Sequence, residues 1–351
     1  MEQRIIHGFP PPKIDFYKVY VRSITYNQAS YIEDCLNGVA AQKTSFPFVH
    51  HVIDDFSTDG EQNVIKDWMN KECEMKDAEY YDNDICTITL AKYKNNPNNI
   101  IVVYFLKKNL YKEKNKKAEL FAPWRAACTY EAICEGDDYW TDPNKLQKQV
   151  DWMESHNDYS MCFHQAVEHS ENGGFLDRPF AIIENRDYNG IELYRKWLVA
   201  TASVVYRTKL HNTQIYQETR KNKNFCYGDI TLFLSCAHEG KVRGMSDTMS
   251  VYRRNDGGIT YSEFNTYKKS LRTAVHNHEI YKVFGEEYKA DSDRIVLTIL
   301  CSNYVKPGVP VEARREMIDY AKSISIYKTY ILICKYFILT RLRGVKQRLI
   351  K

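Results

Sequence analysis

The sequence has none of the short glycine-rich motifs that mark several large enzyme classes. It contains no GxxxxGK[ST] phosphate loop, no GxGxxG and no GxSxG, which argues against P-loop nucleotide binding, a Rossmann dinucleotide site and a serine hydrolase. The histidine pairs His50/His51 and His276/His278 lack the spacing of a zinc site, so we predict that they are structural. The main chemical signal must therefore come from other residues.

Redox motifs and a secretion signal are also missing. The chain has 10 cysteines, yet no two of them are three residues apart, so it lacks the CxxC spacing of a redox centre or a zinc knuckle. Residues 1–8 lack the apolar core of a signal peptide. We therefore expect a protein that folds in the cytoplasm with reduced thiols.

Acidic residues are absent from the C-terminal tail, residues 322–351. This tail carries eight basic residues and no Asp or Glu, whereas the rest of the chain is mildly acidic. A nucleic-acid binder needs a broad basic surface, so we predict no nucleic-acid partner. A basic and apolar tail instead suggests peripheral contact with an anionic membrane, on its cytoplasmic face, or with an acidic protein. The alternative is a terminal helix that packs on the fold.

Segments with strand and helix periodicity alternate along the first half of the chain. Residues 17–25 and 48–53 are predicted strands, and each is followed by apolar residues at helical spacing. Residues 100–106 and 129–134 are further predicted strands. This alternation predicts an α/β fold with a mostly parallel central sheet flanked by helices.

The pattern changes twice along the chain. Residues 70–99 are polar and rich in Asn and Lys, which predicts an insertion with one small hairpin around residues 86–90. From about residue 261 the pattern becomes helical. We therefore predict a catalytic domain over residues 1–260 and a helical C-terminal region over residues 261–351, which ends in the basic tail.

Pairs of aspartates follow two of the predicted strands. Asp54 and Asp55 end one strand, and Asp137 and Asp138 follow another. Ligands of open parallel sheets bind at the carboxyl ends of the strands, so these carboxylates are expected to converge. There they can ligate a hard divalent cation on a diphosphate or hydrogen-bond a ribose and a base. The alternative is that they only form turns and cap the following helices.

Taken together and in order, these segments resemble family 2 glycosyltransferases with the GT-A fold. The resemblance rests first on residues 23–27 (SITYN), 52–60 (VIDDFSTDG) and 135–146 (EGDDYWTDPNKL). Further along, residues 201–207, 227–234 and 251–260 are similar to the family's acceptor-side strand, catalytic-base segment and closing loop. The resemblance covers roughly residues 17–260, about two-thirds of the chain.

The resemblance implies an inverting glycosyltransferase. The donor would be a nucleoside-diphosphate sugar, UDP-linked, and the acceptor a hydroxyl of a glycan or a lipid-linked sugar in cell-surface polysaccharide synthesis. The metal would be Mn²⁺ or Mg²⁺, ligated by Asp138. The implied nucleotide-binding residues are Thr25, Tyr26, Asp54, Asp55 and Asp137.

The same resemblance implies that Asp229 is the catalytic base, although an Asp at this position can also cap the following helix. Trp140, Ser203 and Arg253 would belong to the acceptor and donor loops. Two departures from the family stand out. The closing loop has Asn255 and Asp256 where many relatives have a His, and residues 107–117 offer no clear match for a basic residue on the diphosphate.

Two other functions stay open at this point. One is a non-catalytic subunit that binds a sugar nucleotide, although such a copy would be free to lose Asp138 or Asp229. The other is a nucleotidyltransferase, which needs a similar sheet and a metal. That class usually has a glycine-rich loop after the first strand, and residues 25–35 contain no glycine.

Overall fold

A computed structural model describes residues 5–111, 113–255 and 267–349, with side chains except for 114–116 and 343–349. The described chain forms two compact units. The first comprises the residues up to His211 together with Glu239–Asn255. The second comprises Asn212–His238 together with the described residues after 266. The predicted domain boundary near residue 260 lies outside the described residues.

The first unit is built on one sheet, which has 13 strands within the described residues. The strands are β1 (Ile5–His7), β2 (Val19–Thr25), β3 (Phe48–Asp54), β4 (Glu79–Asp82), β5 (Cys86–Lys92), β6 (Ile100–Leu106), β7 (Tyr130–Ile133), β8 (Tyr139–Trp140), β9 (Tyr159–Ser170), β10 (Arg178–Pro179), β11 (Asp187–Tyr188), β12 (Val205–Arg207) and β13 (Lys241–Arg254). Their order is β1-β4-β5-β6-β3-β2-β7-β12-β9-β13-β11, with β8 on β13 and β10 on β9.

The centre of the sheet is parallel and buried on both faces. β6, β3, β2 and β7 are neighbours that all run in the same direction. Every residue of β3 and β6 is buried, as expected for parallel strands covered by helices. Successive side chains of these strands point to opposite faces of the sheet and pack in two separate apolar clusters. Val52, for example, belongs to one cluster and Ile53 to the other. The predicted α/β architecture with a mostly parallel central sheet is therefore confirmed.

Helices follow the central strands and cover the sheet. They are α1 (Ile32–Ala40), α2 (Glu61–Glu72), α3 (Lys114–Ala126), α4 (Lys145–Ser155) and the short α5 (Gly190–Arg195). The helical spacing after the first two predicted strands predicted α1 and α2. It did not predict α3, which is rich in lysine at its start and contains Pro123.

The polar insertion extends the sheet. β4 and β5 form the antiparallel hairpin expected in this segment, and β5 also pairs with β6. β1 adds a parallel strand outside β4. The insertion therefore widens one side of the sheet and leaves the carboxyl ends of the central strands in place.

The second unit is helical. The helical pattern predicted from about residue 261 is confirmed over the described residues after 266, whereas Asn212–His238 of this unit was predicted to belong to the catalytic domain. Its helices are α6 (Gln214–Lys221), α7 (Gly228–Glu239, except the last residue), α8 (Tyr267–Phe284), α9 (Lys289–Tyr304), α10 (Val311–Ile324) and α11 (Ile326–Leu349). Ala274, Val296, Leu300 and Met317 form part of the core between α8, α9 and α10. Leu332 of α11 packs against the same core.

Candidate active site

Three strand ends meet at the carboxyl edge of the parallel sheet. The backbone N–H of Asp55, after β3, donates to the carbonyl oxygen of Thr25 at 2.9 Å. The backbone N–H of Gly136, after β7, donates to the carbonyl oxygen of Ile24 at 3.1 Å. The turns after β3 and β7 are thus both attached to the end of β2. The two aspartate pairs flank this strand end, as the topology predicted.

Gly136 sets how closely the turn after β7 approaches β2. A Cβ atom at this position would lie 2.3 Å from Thr25 Oγ1 and 2.5 Å from Gln28 Oε1. No side chain fits in that space, so only glycine allows this contact. The close approach brings Asp137 and Asp138 beside Thr25.

Asp54 organises its own turn. Its carboxylate accepts hydrogen bonds from the Ser57 N–H at 3.2 Å and from Gln62 Nε2 at 2.5 Å. The residue is fully buried, and burial raises the pKa of its carboxyl group. These contacts match the turn-forming alternative, and the predicted role of Asp54 in nucleotide binding stays a prediction.

Asp55 is paired on both of its carboxylate oxygens. Oδ1 accepts a hydrogen bond from the Leu110 N–H at 2.7 Å, and Oδ2 is ion-paired with the ammonium group of Lys117. Asn109 Nδ2 donates to the Asp55 carbonyl oxygen at 2.9 Å. Asp55 therefore holds Asn109, Leu110 and Lys117 against the strand edge. Sequence reasoning missed Lys117, because it lies among several lysines in a polar segment.

Glu61 is a buried acid that sequence reasoning also missed. Its carboxylate accepts hydrogen bonds from Thr25 Oγ1, from the Gln28 N–H at 2.9 Å and from Ser57 Oγ at 2.8 Å. Burial raises the pKa of this carboxyl group. Its position in the first turn of α2 was the available signal, since acids are favoured at helix N-termini.

Asp137 and Asp138 differ in their exposure. Asp138 is buried, and its Oδ1 accepts a hydrogen bond from the Arg253 N–H at 2.9 Å. Asp137 is partly exposed and accepts from Asn255 Nδ2 at 3.2 Å. Burial raises the pKa of both carboxyl groups, and the negative charge of Asp137 raises that of Asp138 further. The pair is therefore a place where a cation would relieve electrostatic cost.

These two carboxylates are compatible with a Mg²⁺-like ion but do not enclose one. Over the ranges that the structure describes, no group of three or more His, Cys, Asp or Glu side chains could hold a metal. Mg²⁺ is commonly bound by one or two carboxylates together with substrate phosphates and water. Asp137 and Asp138 fit that partial set of oxygen ligands.

Arg253 is fixed by charge and by aromatic rings. Its guanidinium group lies 2.7 Å from carboxylate oxygens of Asp34 and Glu171. It also lies 4.8 Å from the ring centre of Tyr31 and 4.9 Å from that of Tyr139. Because its backbone N–H binds Asp138, the same residue joins the end of β13 to the acidic turn. Residues 256–260 of the predicted closing loop lie outside the described residues.

Trp140 and Ser203 lie inside the fold. Trp140 Nε1 donates to the Ala202 carbonyl oxygen at 2.9 Å, and Ser203 Oγ donates to the Ala200 carbonyl oxygen at 2.6 Å. Both side chains are buried. Trp140 thereby joins the segment after Asp138 to residue 202, and the predicted contact of Trp140 and Ser203 with a donor or an acceptor stays a prediction.

Tyr26 has the opposite environment. Its side chain is 46% exposed at the end of β2. The next residue, Asn27, has a φ of 54° and accepts a hydrogen bond from the Thr58 N–H at 2.8 Å. Asn tolerates this left-handed conformation better than most residues. The turn therefore holds Tyr26 at the surface beside the acidic turns, where an aromatic ring can stack on a base.

Asp229 lies in the second unit, in the first turn of α7. It is partly buried, and its Oδ1 accepts a hydrogen bond from the Ile230 N–H at 2.8 Å. An acid in the first turn of a helix is also favoured electrostatically. The position fits the helix-terminus alternative, and the predicted catalytic role remains a prediction.

One family model matches more than half of the chain. The model of the family described as "Glycosyl transferase family 2" matches residues 21–239. The uncharacterized proteins Mb1547 of Mycobacterium bovis and Rv1520 of Mycobacterium tuberculosis are each 32% identical to this chain over 255 residues. The match covers 72% of this chain but 64% of each relative. This chain thus spans less than two-thirds of their length.

The structure is similar to TarS from Staphylococcus aureus. TarS residues 1–349, solved with UDP-GlcNAc, superpose with a TM-score of 0.56 at 17% identity, covering 91% of each chain. A second TarS structure gives a TM-score of 0.55, covering 91% of this chain and 55% of TarS. At this level of identity, the likeness shows a shared fold.

Proposed function

Because this chain belongs to glycosyl transferase family 2, we propose that it transfers a sugar from a nucleoside-diphosphate donor to an acceptor hydroxyl. The GT-A fold that the sequence motifs implied is confirmed by the family match and by the similar structures. The observation that carries the proposal is the convergence of β2, β3 and β7 on one acidic edge. There the exposed ring of Tyr26 lies on the same edge as the carboxylates of Asp137 and Asp138.

Different residues would bind the nucleoside and the diphosphate of the donor. Tyr26 would stack on the base, and Asp137 would accept a hydrogen bond from the ribose. Asp138, with Asp137 beside it, would hold Mn²⁺ or Mg²⁺, whose charge would offset that of the departing diphosphate. The raised pKa values of both carboxyl groups support a cation partner at this position.

In this proposal, Asp54 and Asp55 act by positioning the chain segments next to them. The Asp55 carboxylate is already occupied by Leu110 and Lys117, so direct binding of a base would require this pair to open. Asp54 and Glu61 shape the turn between β3 and α2. The proposal thus places most of the direct donor contacts on the segments after β2 and β7.

The transfer step would be a single in-line displacement with inversion at the anomeric carbon. The acceptor oxygen forms the new bond while the bond to the diphosphate oxygen breaks. Asp229 would accept the proton of the acceptor hydroxyl as a general base. This assignment rests on the resemblance of residues 227–234 to the base-bearing segment of the family.

We further propose that the donor is UDP-linked and that the acceptor is a glycan or a lipid-linked sugar. The TarS structure was solved with UDP-GlcNAc, which makes that compound the first donor to test. Transfer would take place at the cytoplasmic face of a membrane during cell-surface polysaccharide synthesis, with residues 322–351 in peripheral contact with the membrane.

A ligand screen followed by a turnover assay tests the proposal. Thermal shifts are measured with a panel of UDP-, GDP- and dTDP-sugars, with and without Mn²⁺, because a ligand that binds the native state raises the melting temperature. We expect one class of donor to stabilise the protein in the presence of metal and to be turned over with release of its nucleotide. Binding without hydrolysis or transfer to any acceptor would instead favour a non-catalytic subunit. Turnover that forms a nucleotide sugar from a sugar phosphate would favour a nucleotidyltransferase.

A further inference from the structure

The outward face of α11 is apolar along most of its described length. Thr329, Leu332, Ile333 and Tyr336 point inward, where Thr329 is fully buried and the other three pack on the core of the helical unit. The exposed apolar side chains of the helix are Ile326, Tyr327, Tyr330, Ile331, Phe337, Ile338, Leu339 and Leu342.

The exposed residues form two adjacent rows on the helix surface. Residues 327, 331, 334, 338 and 342 are spaced by three or four positions and so lie on one side of a helix. Residues 326, 330 and 337 form the next row. At 1.5 Å per residue, the apolar face is about 24 Å long. A contiguous apolar surface of this size on a soluble domain usually marks an interaction site.

Basic side chains border this face, and acidic ones are absent from it. Lys328 and Lys335 are exposed beside the two rows, and the Arg341 guanidinium lies 4.6 Å from the ring centre of Phe337. The neighbouring helix α10 differs, since its exposed residues include Glu312, Glu316 and Asp319. Of these two helices, α11 is the one whose exposed face, over its described side chains, combines apolar residues with basic but no acidic residues.

The positive charge of this face indicates what kind of partner it binds. A second copy docked face to face would bring Lys328, Lys335 and Arg341 against the same residues, and like charges at an interface are repulsive. An anionic lipid surface instead attracts the basic residues and accepts the apolar rows into its interface. Across the described residues, no helix is long and apolar enough to cross a membrane, so the expected contact lies in the plane of the surface.

We propose that the outward face of α11, from Ile326 to Leu342, binds in the interface of an anionic lipid bilayer. The aliphatic and aromatic side chains enter the interface, and Lys328, Lys335 and Arg341 contact the headgroups. The inference deepens the proposed function, on which it rests, because it would hold the enzyme at the surface that carries a lipid-linked acceptor.

Vesicle flotation with the full chain tests this proposal. Vesicles of phosphatidylcholine with about one quarter phosphatidylglycerol are compared with pure phosphatidylcholine vesicles at low salt and at about 0.5 M salt. We expect binding only to the anionic vesicles and a marked loss at high salt. The triple variant Tyr327→Ser, Ile331→Ser, Ile338→Ser should bind at least about tenfold more weakly. The double variant Lys328→Gln, Lys335→Gln should bind more weakly at low salt and show a smaller loss at high salt than the wild type, while Arg341 retains part of the salt dependence.

Val311→Ser is the matched control, because Val311 is 72% exposed at the start of α10 rather than on α11. It should float like the wild type. Absence of wild-type binding to anionic vesicles at low salt would overturn the proposal. It would also be overturned if sedimentation showed a wild-type dimer that the triple variant converts to a monomer. Donor turnover is measured in parallel without vesicles, so vesicle binding without turnover would count against the proposed function and not against the membrane surface.

Discussion

Lys117 and Asp55 form an ion pair inside the fold, between α3 and the turn after β3. Both side chains are largely buried, at 10% and 3% exposure. The two residues are 62 positions apart in the sequence, so the pair fastens a polar segment to the edge of the central sheet. Leu110, whose N–H binds the other oxygen of Asp55, is fastened by the same carboxylate.

We expect removal of either partner of this pair to be costly. Lys117→Met leaves a buried carboxylate without its cation, and Asp55→Asn leaves a buried ammonium group without its anion. Breaking a buried pair from one side typically costs about 3–5 kcal/mol. Urea unfolding of both single variants should show a loss of that order. The double variant Asp55→Asn, Lys117→Met should lose clearly less than the sum of the two, and additive losses would show that the pair is not coupled in solution.

The second prediction concerns the proposed metal site at Asp138. Asp138→Asn keeps an oxygen that can accept the hydrogen bond from the Arg253 N–H, so the fold should persist, while the charge that attracts a cation is lost. We expect donor binding in the presence of Mn²⁺ to fall to the level seen with excess chelator. Titration calorimetry with and without metal measures this directly.

Asp142→Asn is the matched control for this prediction. Asp142 lies in the same segment, but its carboxylate pairs with Lys148 at 2.8 Å. This variant should keep metal-dependent donor binding. Wild-type transfer that continues in excess chelator would show that Asp138 does not act through a metal.

The third prediction concerns the proton acceptor. Asp229→Asn preserves shape and a side-chain oxygen for the Ile230 N–H but removes the negative charge. If Asp229 is the general base, turnover should fall about 10²–10⁴-fold with donor affinity nearly unchanged. Steady-state kinetics and donor titration separate the two effects. Asn is as favourable as Asp at helix N-termini, so a purely structural role predicts near-normal turnover.

The sequence predicted the parts of this structure that periodicity controls. The strands β3 and β7 are short and fully buried, and their positions place the two aspartate pairs at one sheet edge. The strand β13 was missed, because its 14 residues mix buried and exposed positions without strict alternation. The partners of Asp55 and Asp138 were missed for a different reason. Lys117 and the Arg253 N–H reach them across long sequence separations, and local patterns carry no information about such contacts.

The last prediction concerns acid stability and His50. Its ring is fully buried, with Nε2 2.8 Å from Ser23 Oγ and Nδ1 2.9 Å from Tyr93 OH. Burial lowers the pKa of His50 from 6.5 to about 3. The neutral ring therefore contributes its full stability above pH 6.5, the value for the unfolded chain. As the pH falls from there toward about 3, the unfolded chain binds a proton that the folded chain does not, and that contribution is lost.

Replacement of His50 should change the slope of stability against pH. One such group makes unfolding more favourable by about 1.4 kcal/mol for each pH unit below its unfolded pKa. We expect the free energy of unfolding of His50→Gln to be lower than that of the wild type at neutral pH, where two buried hydrogen bonds are altered. As the pH is lowered, the free energy of unfolding of this variant should fall less steeply than that of the wild type, by about 1.4 kcal/mol per pH unit. His51 remains in the variant, and burial also lowers its pKa, so some acid sensitivity should persist. Urea unfolding at a series of pH values measures both slopes, and parallel curves for the two proteins would show that His50 takes up its proton in the folded state as well.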